Sequence, residues 1–205
     1  MTEKFTVYLV DDDPGVLKAL SRLLRAKGHD VKPYSSPQVF LEEHDVAVPG
    51  CVVLDVSMPG LDGLEIQRVL TAASGYHRPV VFVTGKGDIP TSVRAMKAGA
   101  IDFLTKPVKD KDLFEAVSRA EARDAESRRL HSELESMQAK VSNLTPRERE
   151  VLTHVVAGRL NKQIAGDLGT VEKTIKVHRS RMMEKLGIRM VADLVRMAEK
   201  LNLSK

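Results

Sequence analysis

Five polar side chains directly follow or end short apolar runs of the chain: Asp11, Asp12, Asp55, Thr84 and Lys106. If these runs are parallel strands, their carboxyl ends meet at one edge of a sheet and bring the five residues together. Three carboxylates on one rim repel one another unless a hard cation lies among them, and Mg2+ fits that demand. A carboxylate beside Mg2+ can attack a phosphoryl donor while Lys106 and the Thr84 hydroxyl stabilise the phosphoryl oxygens. Asp55 is therefore the predicted phosphoacceptor.

Each of these residues also has an ordinary structural explanation when it is taken alone. Asp13, which precedes Pro14, is a candidate helix cap, Thr84 is a common type of strand-end residue, and Lys106 could be solvated. The single cysteine, Cys51, lies in the apolar run CVVLDV, which favours a buried core residue over a reactive thiolate. The chemistry therefore rests on the combination of positions.

The first half of the chain alternates apolar runs with amphipathic segments. The predicted strands are FTVYLV, DVKPY, CVVLDV, PVVFVT and IDFLT. Between them, apolar residues recur at helical spacing, as in Val16, Leu17, Leu20, Leu23 and Leu24. This alternation predicts an α/β domain with a five-stranded, doubly wound parallel sheet.

One long helix is predicted from about Val108 to Asn143, where glycine and proline are absent and charge is dense. Leu130, Leu134, Met137, Val141 and Leu144 follow a four-three spacing, but this set is out of step with an earlier one at Leu113, Val117 and Ala120. Two interpretations stay open: an exposed spacer helix, or a dimeric signalling helix with an interrupted heptad.

The last sixty residues predict four helices joined by short turns: Pro146 to Ala157, Lys162 to Leu168, Glu172 to Leu186, and a fourth from about Val191. Thr145 and Asn161 are candidate N-caps, and Gly158 and Gly169 mark turns. The apolar stripe of the last helix comprises Val191, Leu194, Val195, Ala198 and Leu201. Such short helices and tight turns are typical of a helix-turn-helix.

Charge is unevenly distributed along the 205 residues. Residues 1–120 carry 15 basic and 16 acidic side chains, whereas residues 145–205 carry 13 and 7. A basic third of this kind favours nucleic-acid binding, although a solvated basic face would look the same. No run of about 20 apolar residues predicts a membrane helix, and the first ten residues do not resemble a secretory signal, so we expect a cytoplasmic protein without membrane association.

The segments VDDDP, LDVSMPGLDG, VTGKGD and LTKP resemble the receiver domains of bacterial two-component response regulators, which have a flavodoxin-like fold. The resemblance covers about residues 5–120. It implies that Asp12, Asp55 and the backbone carbonyl of Ser57 bind Mg2+ directly, and that Asp11 acts mainly through bound water. It further implies a cis Lys106-Pro107 peptide. On phosphorylation, Thr84 would move inward, Phe103 would turn, and Ile89 to Gly99 with the fifth strand would become a dimerisation face.

The segments TPREREVL and NKQIAGDLGTVEKTIKVHRSRMMEKLGI resemble the LuxR-type helix-turn-helix, so the whole chain resembles response regulators of the NarL and FixJ type. On the third helix of this domain, Ile175, His178, Met182 and Leu186 share one face, and the opposite face is basic. We interpret His178 as a structural residue. The resemblance implies base contacts from Lys176, Val177 and Ser180, and phosphate contacts from Asn161, Lys162, Thr174, Arg179 and Arg181.

Two helix starts depart from the LuxR pattern. Val171 and Met190 stand at positions where relatives often have a side chain that can cap the helix. Loss of a cap costs about 1 kcal/mol, which predicts more mobile helix starts without loss of the fold.

The sequence thus predicts a receiver at 1–120, a linker helix at 121–143 and an all-α, four-helix DNA-binding domain at 144–205. We expect a transcription factor that a sensor histidine kinase phosphorylates at Asp55 with Mg2+ as cofactor, and that forms a homodimer on double-stranded promoter DNA. RNA polymerase is a further candidate partner. We expect no turnover enzyme beyond the receiver's own phosphotransfer. The alternatives are a Mg2+-dependent phosphohydrolase, for which no substrate-pocket motif is present, and a receiver that works unphosphorylated, which complete acidic and lysine positions disfavour.

Overall fold

The computed structural model describes residues 4–72, 77–85 and 87–203, with the side chain of Ala72 excluded. The chain divides into two compact units, Met1–Arg129 and Leu130–Lys205. Within the described residues, no helix combines the length and the apolar character that crossing a bilayer requires.

The first unit contains a five-stranded parallel sheet in the order β2-β1-β3-β4-β5. Its central strands are fully buried, as expected for apolar runs covered on both faces. The predicted doubly wound sheet is thereby confirmed. The strands are β1 (Thr6–Val10), β2 (Asp30–Tyr34), β3 (Gly50–Leu54), β4 (Val80–Thr84) and β5 (Asp102–Thr105).

Helices cover both faces of the sheet, and alternate residues of each strand face the two helical layers. On β1, for example, Val7 and Leu9 belong to one apolar cluster, whereas Tyr8 and Val10 belong to the other. The first cluster also contains residues of α1 and α5. The helices of this unit are α1 (Pro14–Ala26), α2 (Pro37–Glu43), α3 (Gly63–Ala72), α4 (Ile89–Lys97) and the first part of α5 (Asp110–Ser142).

The long helix α5 agrees closely with the helix predicted from Val108 to Asn143. Its first turns pack against the sheet through four buried apolar residues, Leu113, Ala116, Val117 and Ala120. Farther along, Leu130 is 43% exposed. The choice between a spacer and a dimeric helix remains a prediction.

The second unit contains four further helices around one apolar cluster that includes Val151, Ile164, Ile175, Met182 and Leu194. Thr145 caps α6 in a reciprocal capping box with Glu148, which confirms the predicted helix start. The helices are α6 (Pro146–Val156), α7 (Asn161–Asp167), α8 (Glu172–Leu186) and α9 (Val191–Lys200).

Three helix starts in this unit test the capping predictions. Asn161 was expected to cap α7, but this was wrong: Asn161 is the first helical residue and Leu160 is the N-cap. The Gln163 side chain accepts the Leu160 N–H, so the backbone is satisfied from within the helix. Val171 and Met190 are the N-caps of α8 and α9, as predicted, and neither side chain makes a capping bond.

Candidate functional sites

The carboxyl edge of the sheet brings three of the predicted residues into direct contact. Lys106 Nζ lies 2.6 Å from Asp11 Oδ2 and 3.1 Å from Asp55 Oδ2. This contact depends on strand order, because β1 and β3 are neighbours and carry Asp11 and Asp55 at adjacent ends. Asp11 and Asp55 are buried, whereas Asp12 is exposed. Oxygens of all three carboxylates lie within 4.8 Å of one another.

Backbone amides orient the two buried carboxylates. Asp13 N–H donates to Asp11 Oδ1 at 2.9 Å, and Ser57 N–H donates to Asp55 Oδ1 at 3.3 Å. One oxygen of each carboxylate is therefore held by the chain and the other faces Lys106. The Asp13 side chain caps α1 by accepting from Gly15 and Val16, so the structural role considered for it is confirmed.

Electrostatics at this edge favour a bound cation. Burial raises the pKa of Asp11, and bonds from Lys106 and the Asp13 amide offset only part of that shift. Burial alone would lower the pKa of Lys106, but its bonds to Asp11 and Asp55 outweigh burial and raise it. Asp11 and Asp55 thus share the Lys106 ammonium group, and the Asp12 carboxylate lies close to both. An oxygen-ligated divalent cation would relieve the remaining repulsion, so the donor set fits Mg2+.

Helix α8 presents two distinct faces in the second unit. Ile175, Met182 and Leu186 are buried in the apolar cluster, and His178 is half-buried beside them. The opposite face exposes Lys176, Val177 and Ser180, and Lys176 Nζ lies 3.1 Å from Glu172 Oε1. A helix with one packed face and one basic, exposed face can enter the major groove of DNA.

The residues expected near phosphates surround this exposed face. Lys162 and Arg181 are exposed, and Thr174 is half-buried. Asn161 and Arg179 contact each other, because Arg179 Nη1 donates to Asn161 Oδ1 at 2.9 Å. This bond joins the first turn of α7 to α8 and leaves other donor atoms of both side chains for a phosphate.

Comparison with known families gives two matches in succession. Residues 7–118 match the response regulator receiver domain, and residues 142–198 match the luxR family of bacterial regulatory proteins. The chain belongs to the NarL/FixJ-type response regulators.

Relatives of this response regulator match along nearly their whole length. Nodulation protein W of Bradyrhizobium diazoefficiens is 41% identical over 98% of the chain and 88% of the relative. Response regulator protein TmoT of Ectopseudomonas mendocina is 43% identical over 97% and 90%. The transcriptional regulatory protein FixJ of Azorhizobium caulinodans is 41% identical over 97% and 93%. TmoT is named as a response regulator and FixJ as a transcriptional regulatory protein.

Solved structures give the same result for the fold. The response regulator StyR superposes with a TM-score of 0.80 at 45% identity, covering 96% of this chain and 99% of StyR. Full-length FixJ from B. japonicum superposes with a TM-score of 0.58 at 36% identity, covering 98% and 99%.

Thr84 and Phe103 lie side by side in the response regulator. The Thr84 side chain is fully buried, and the Phe103 ring packs 5.9 Å from the Phe82 ring, centroid to centroid. A Cβ atom added at Gly87 would lie 2.8 Å from Phe103 Cε1 and 3.3 Å from Thr84 Cγ2. Glycine at position 87 therefore leaves room for Thr84 and Phe103. In the sequence, this glycine is marked only by its place in the motif VTGKGD. The Lys106-Pro107 peptide is cis.

An ion pair between a buried glutamate and an exposed lysine in the second unit was not found from the sequence. Glu148 is 3% exposed, and its Oε2 lies 2.7 Å from Lys185 Nζ near the end of α8. The bond from Lys185 holds the pKa of Glu148 below its usual range, and bonds from Thr145 add to this effect. The sequence predicted Thr145 as the N-cap, but nothing local to it indicated that Glu148 pairs with Lys185.

Proposed function

We propose that this response regulator accepts a phosphoryl group on Asp55 from a sensor histidine kinase in a Mg2+-dependent reaction, and that the modification controls promoter binding. The contact of Lys106 with both Asp11 and Asp55, beside the exposed carboxylate of Asp12, carries the proposal. We assign the receiver to residues 1–120, the linker helix to 121–143 and the DNA-binding domain to 144–205.

Asp55 acts as the nucleophile in this proposal. A carboxylate oxygen of Asp55 forms a bond to phosphorus as the bond from phosphorus to the nitrogen of a ring-protonated kinase phosphohistidine breaks, so that the ring leaves as neutral imidazole and Asp55 becomes an acyl phosphate. Asp11, Asp12, Asp55 and the Ser57 carbonyl would hold Mg2+, which supplies positive charge to the phosphoryl oxygens. Lys106 supplies a second positive charge from its position between Asp11 and Asp55.

The response to phosphorylation begins at Thr84 and Phe103. The Thr84 hydroxyl would donate a hydrogen bond to the phosphoryl group, and Phe103 would turn into the space it vacates. Helix α4 supports a dimerisation face at this side, because Ile89, Val93 and Met96 are exposed by 80%, 44% and 45%. Exposed apolar side chains grouped on one short helix favour an interface between protein chains.

The second unit would bind double-stranded DNA as a dimer, and RNA polymerase is a further partner at promoters. Lys176, Val177 and Ser180 would contact base edges from α8. Phosphate contacts would come from the residues around that face, namely Asn161, Lys162, Thr174, Arg179 and Arg181.

The decisive experiment compares wild type with Asp55→Asn after incubation with Mg2+ and acetyl phosphate. We expect wild type to incorporate one acid-stable, base-labile phosphoryl group and to bind promoter DNA more tightly, because the acyl phosphate forms on Asp55. Asp55→Asn should do neither, while it should retain the DNA affinity of unphosphorylated wild type. Equal phosphorylation of the two proteins would contradict the assignment of Asp55, and an unchanged DNA affinity in phosphorylated wild type would contradict the switch.

A further inference from the structure

Two arginines bind four consecutive carbonyl groups at the end of β3 that lies opposite Asp55. Arg78 Nη2 donates to two carbonyl oxygens of the loop before β3, those of Asp45 at 2.6 Å and Val48 at 3.0 Å. Arg128 donates to those of Val46 at 2.8 Å, Ala47 at 2.7 Å and Val48 at 2.7 Å. We call Arg78, Arg128 and residues 45–48 the arginine clamp.

Arg78 is a fixed part of the receiver core. It is 4% exposed, and its guanidinium carbon lies 4.7 Å from the centroid of the Tyr8 ring. A Cβ atom at Gly50 would lie 2.8 Å from Arg78 Nη1 and 2.3 Å from the Thr6 carbonyl oxygen, so this packing requires glycine there. The loop is therefore anchored on its inner side.

Arg128 belongs to α5 and is held in place by a buried carboxylate. Its Nε lies 3.0 Å from Asp124 Oδ2, one helical turn earlier, and Asp124 is 1% exposed. A buried carboxylate is costly unless it is paired and hydrogen-bonded. The Asp124 side chain thus aims the Arg128 guanidinium at the loop.

Arg128 contacts the loop from a position beyond the last buried apolar residue of α5, Ala120. The buried apolar residues of α5 are Leu113, Ala116, Val117 and Ala120. From residue 121 to 129, all of which the structure describes, Asp124 is the one buried side chain. Two turns of α5 beyond the apolar core are therefore attached to the first unit through polar contacts, among which Arg128 supplies three bonds to the loop.

We propose that Arg128 is a positioning residue that couples the phosphorylated receiver to DNA binding. The clamp attaches residues 121–128, the first part of the linker helix, to the receiver, so that this part of α5 keeps one fixed direction relative to the sheet. A conformational change in the receiver is then passed along α5, because Arg128 prevents residues 121–128 from changing direction independently of the sheet. This inference rests on the proposed function, but the clamp itself can be tested without it.

The first test measures the direction of α5 in the full-length protein. Spin labels are attached to cysteines placed at Glu42 and Ala125, both exposed and both in the first unit, while the native Cys51 is fully buried and should not react. We expect a narrow distance distribution in wild type and a broad one in Arg128→Met, which removes the donors but keeps an unbranched side chain. Arg129→Met is the matched control, because Arg129 is 57% exposed and pairs with Glu126 on its own helix. Equal widths in wild type and Arg128→Met would overturn the proposal.

A milder variant covers the case in which Arg128→Met fails to fold. Arg128→Lys keeps the charge, but its three donors lie on one nitrogen and cannot reproduce the reach of the two guanidinium nitrogens that bind the loop. It should broaden the distribution by less than Arg128→Met would. A width equal to that of wild type in a folded Arg128→Lys protein would also overturn the proposal.

The second test measures coupling as the ratio of DNA affinities with and without acetyl phosphate and Mg2+. Arg128→Met should be phosphorylated at the wild-type rate, yet its affinity ratio should fall towards one, and Arg129→Met should keep the wild-type ratio. A wild-type ratio in Arg128→Met would show that the clamp does not couple the two functions. A ratio of one in wild type would contradict the proposed function, whereas the label distances would still test the clamp.

Discussion

Each of the two units contains a buried carboxylate in contact with a lysine, but the pKa values of the two carboxyl groups are shifted in opposite directions. Lys106 lies 2.6 Å from Asp11 in the first unit, and Lys185 lies 2.7 Å from Glu148 in the second. Yet the pKa of Asp11 is raised, chiefly by burial, whereas the pKa of Glu148 is lowered, chiefly by the bond from Lys185. Distance alone therefore does not determine whether such a pair stabilises the protein.

Burial explains most of the difference, because it is the largest cause of the Asp11 shift, whereas the bond from Lys185 is the largest cause of the Glu148 shift; the partners of each lysine add to it. Lys106 is shared by Asp11 and Asp55, with Asp12 close by, whereas Lys185 serves Glu148, which also accepts from the Thr145 backbone. The first arrangement leaves Asp11 with a raised pKa, as expected at the proposed cation site. The second arrangement is complete within the protein and fixes α6 against the end of α8.

The largest expected effect comes from breaking the second pair. Glu148→Ala should destabilise the second unit by about 2 kcal/mol, because it leaves the Thr145 amide and Lys185 without their acceptor. Urea denaturation measures the change. The matched control is Glu150→Ala on the same helix, since Glu150 is 50% exposed and pairs with Arg147 at the surface, and it should change stability by less than about 0.5 kcal/mol. Equal losses of stability in the two variants would show that Glu148 contributes no more than a surface ion pair does.

Asp11→Asn should change the stability of the first unit in the opposite direction. In Mg2+-free buffer we expect the variant to be more stable than wild type by about 1 kcal/mol, because one of the crowded buried charges is removed. Added Mg2+ should raise the thermal midpoint of wild type much more than that of the variant. A destabilised Asp11→Asn in Mg2+-free buffer would show that the bond to Lys106 dominates and that the two pairs are alike.

The helix starts provide a smaller comparison within the second unit. Thr145 caps α6, whereas Val171 at the start of α8 has no side-chain oxygen. Val171→Thr should stabilise the unit by about 0.5 to 1 kcal/mol, because Val171 already has the extended backbone of a capping residue. Val177→Thr, on the exposed face of the same helix, is the control for the change of residue type. A gain that is equal in both variants would not come from capping.

As the pH falls, the contributions of Asp11 and Glu148 to folding stability should change in opposite directions. Asp11 has a raised folded pKa, so its ionisation opposes folding, and this penalty disappears as the pH falls through that pKa. Glu148 has a lowered folded pKa, so its contribution is present above the ordinary value of 4.5 and is lost as the pH falls through the folded pKa. Carboxyl titration by NMR should place Asp11 above 3.8 and Glu148 below 4.5 in Mg2+-free buffer. Titration of both on the same side of their ordinary values would contradict the comparison.

Most of the fold could be predicted because its signals are local. Apolar runs with polar ends gave the five strands, and four-residue patterns such as TPRE gave the start of α6. The error at Asn161 has the same origin, since asparagine is a good cap, but the Gln163 side chain satisfied the Leu160 amide instead. The positions of the acidic residues at the sheet edge were predictable, because parallel strands end together.

The sequence by itself determined which polar residues follow the strands and which face of α8 is basic. Only the tertiary structure decided that Lys106 bridges Asp11 and Asp55, that Glu148 pairs with Lys185, and that Arg128 reaches the loop before β3. The partners in these contacts are separated by 37 to 95 positions in the chain. Local patterns report neighbours within a turn or a strand, whereas burial and the sign of a pKa shift depend on all charges and surfaces that folding brings together.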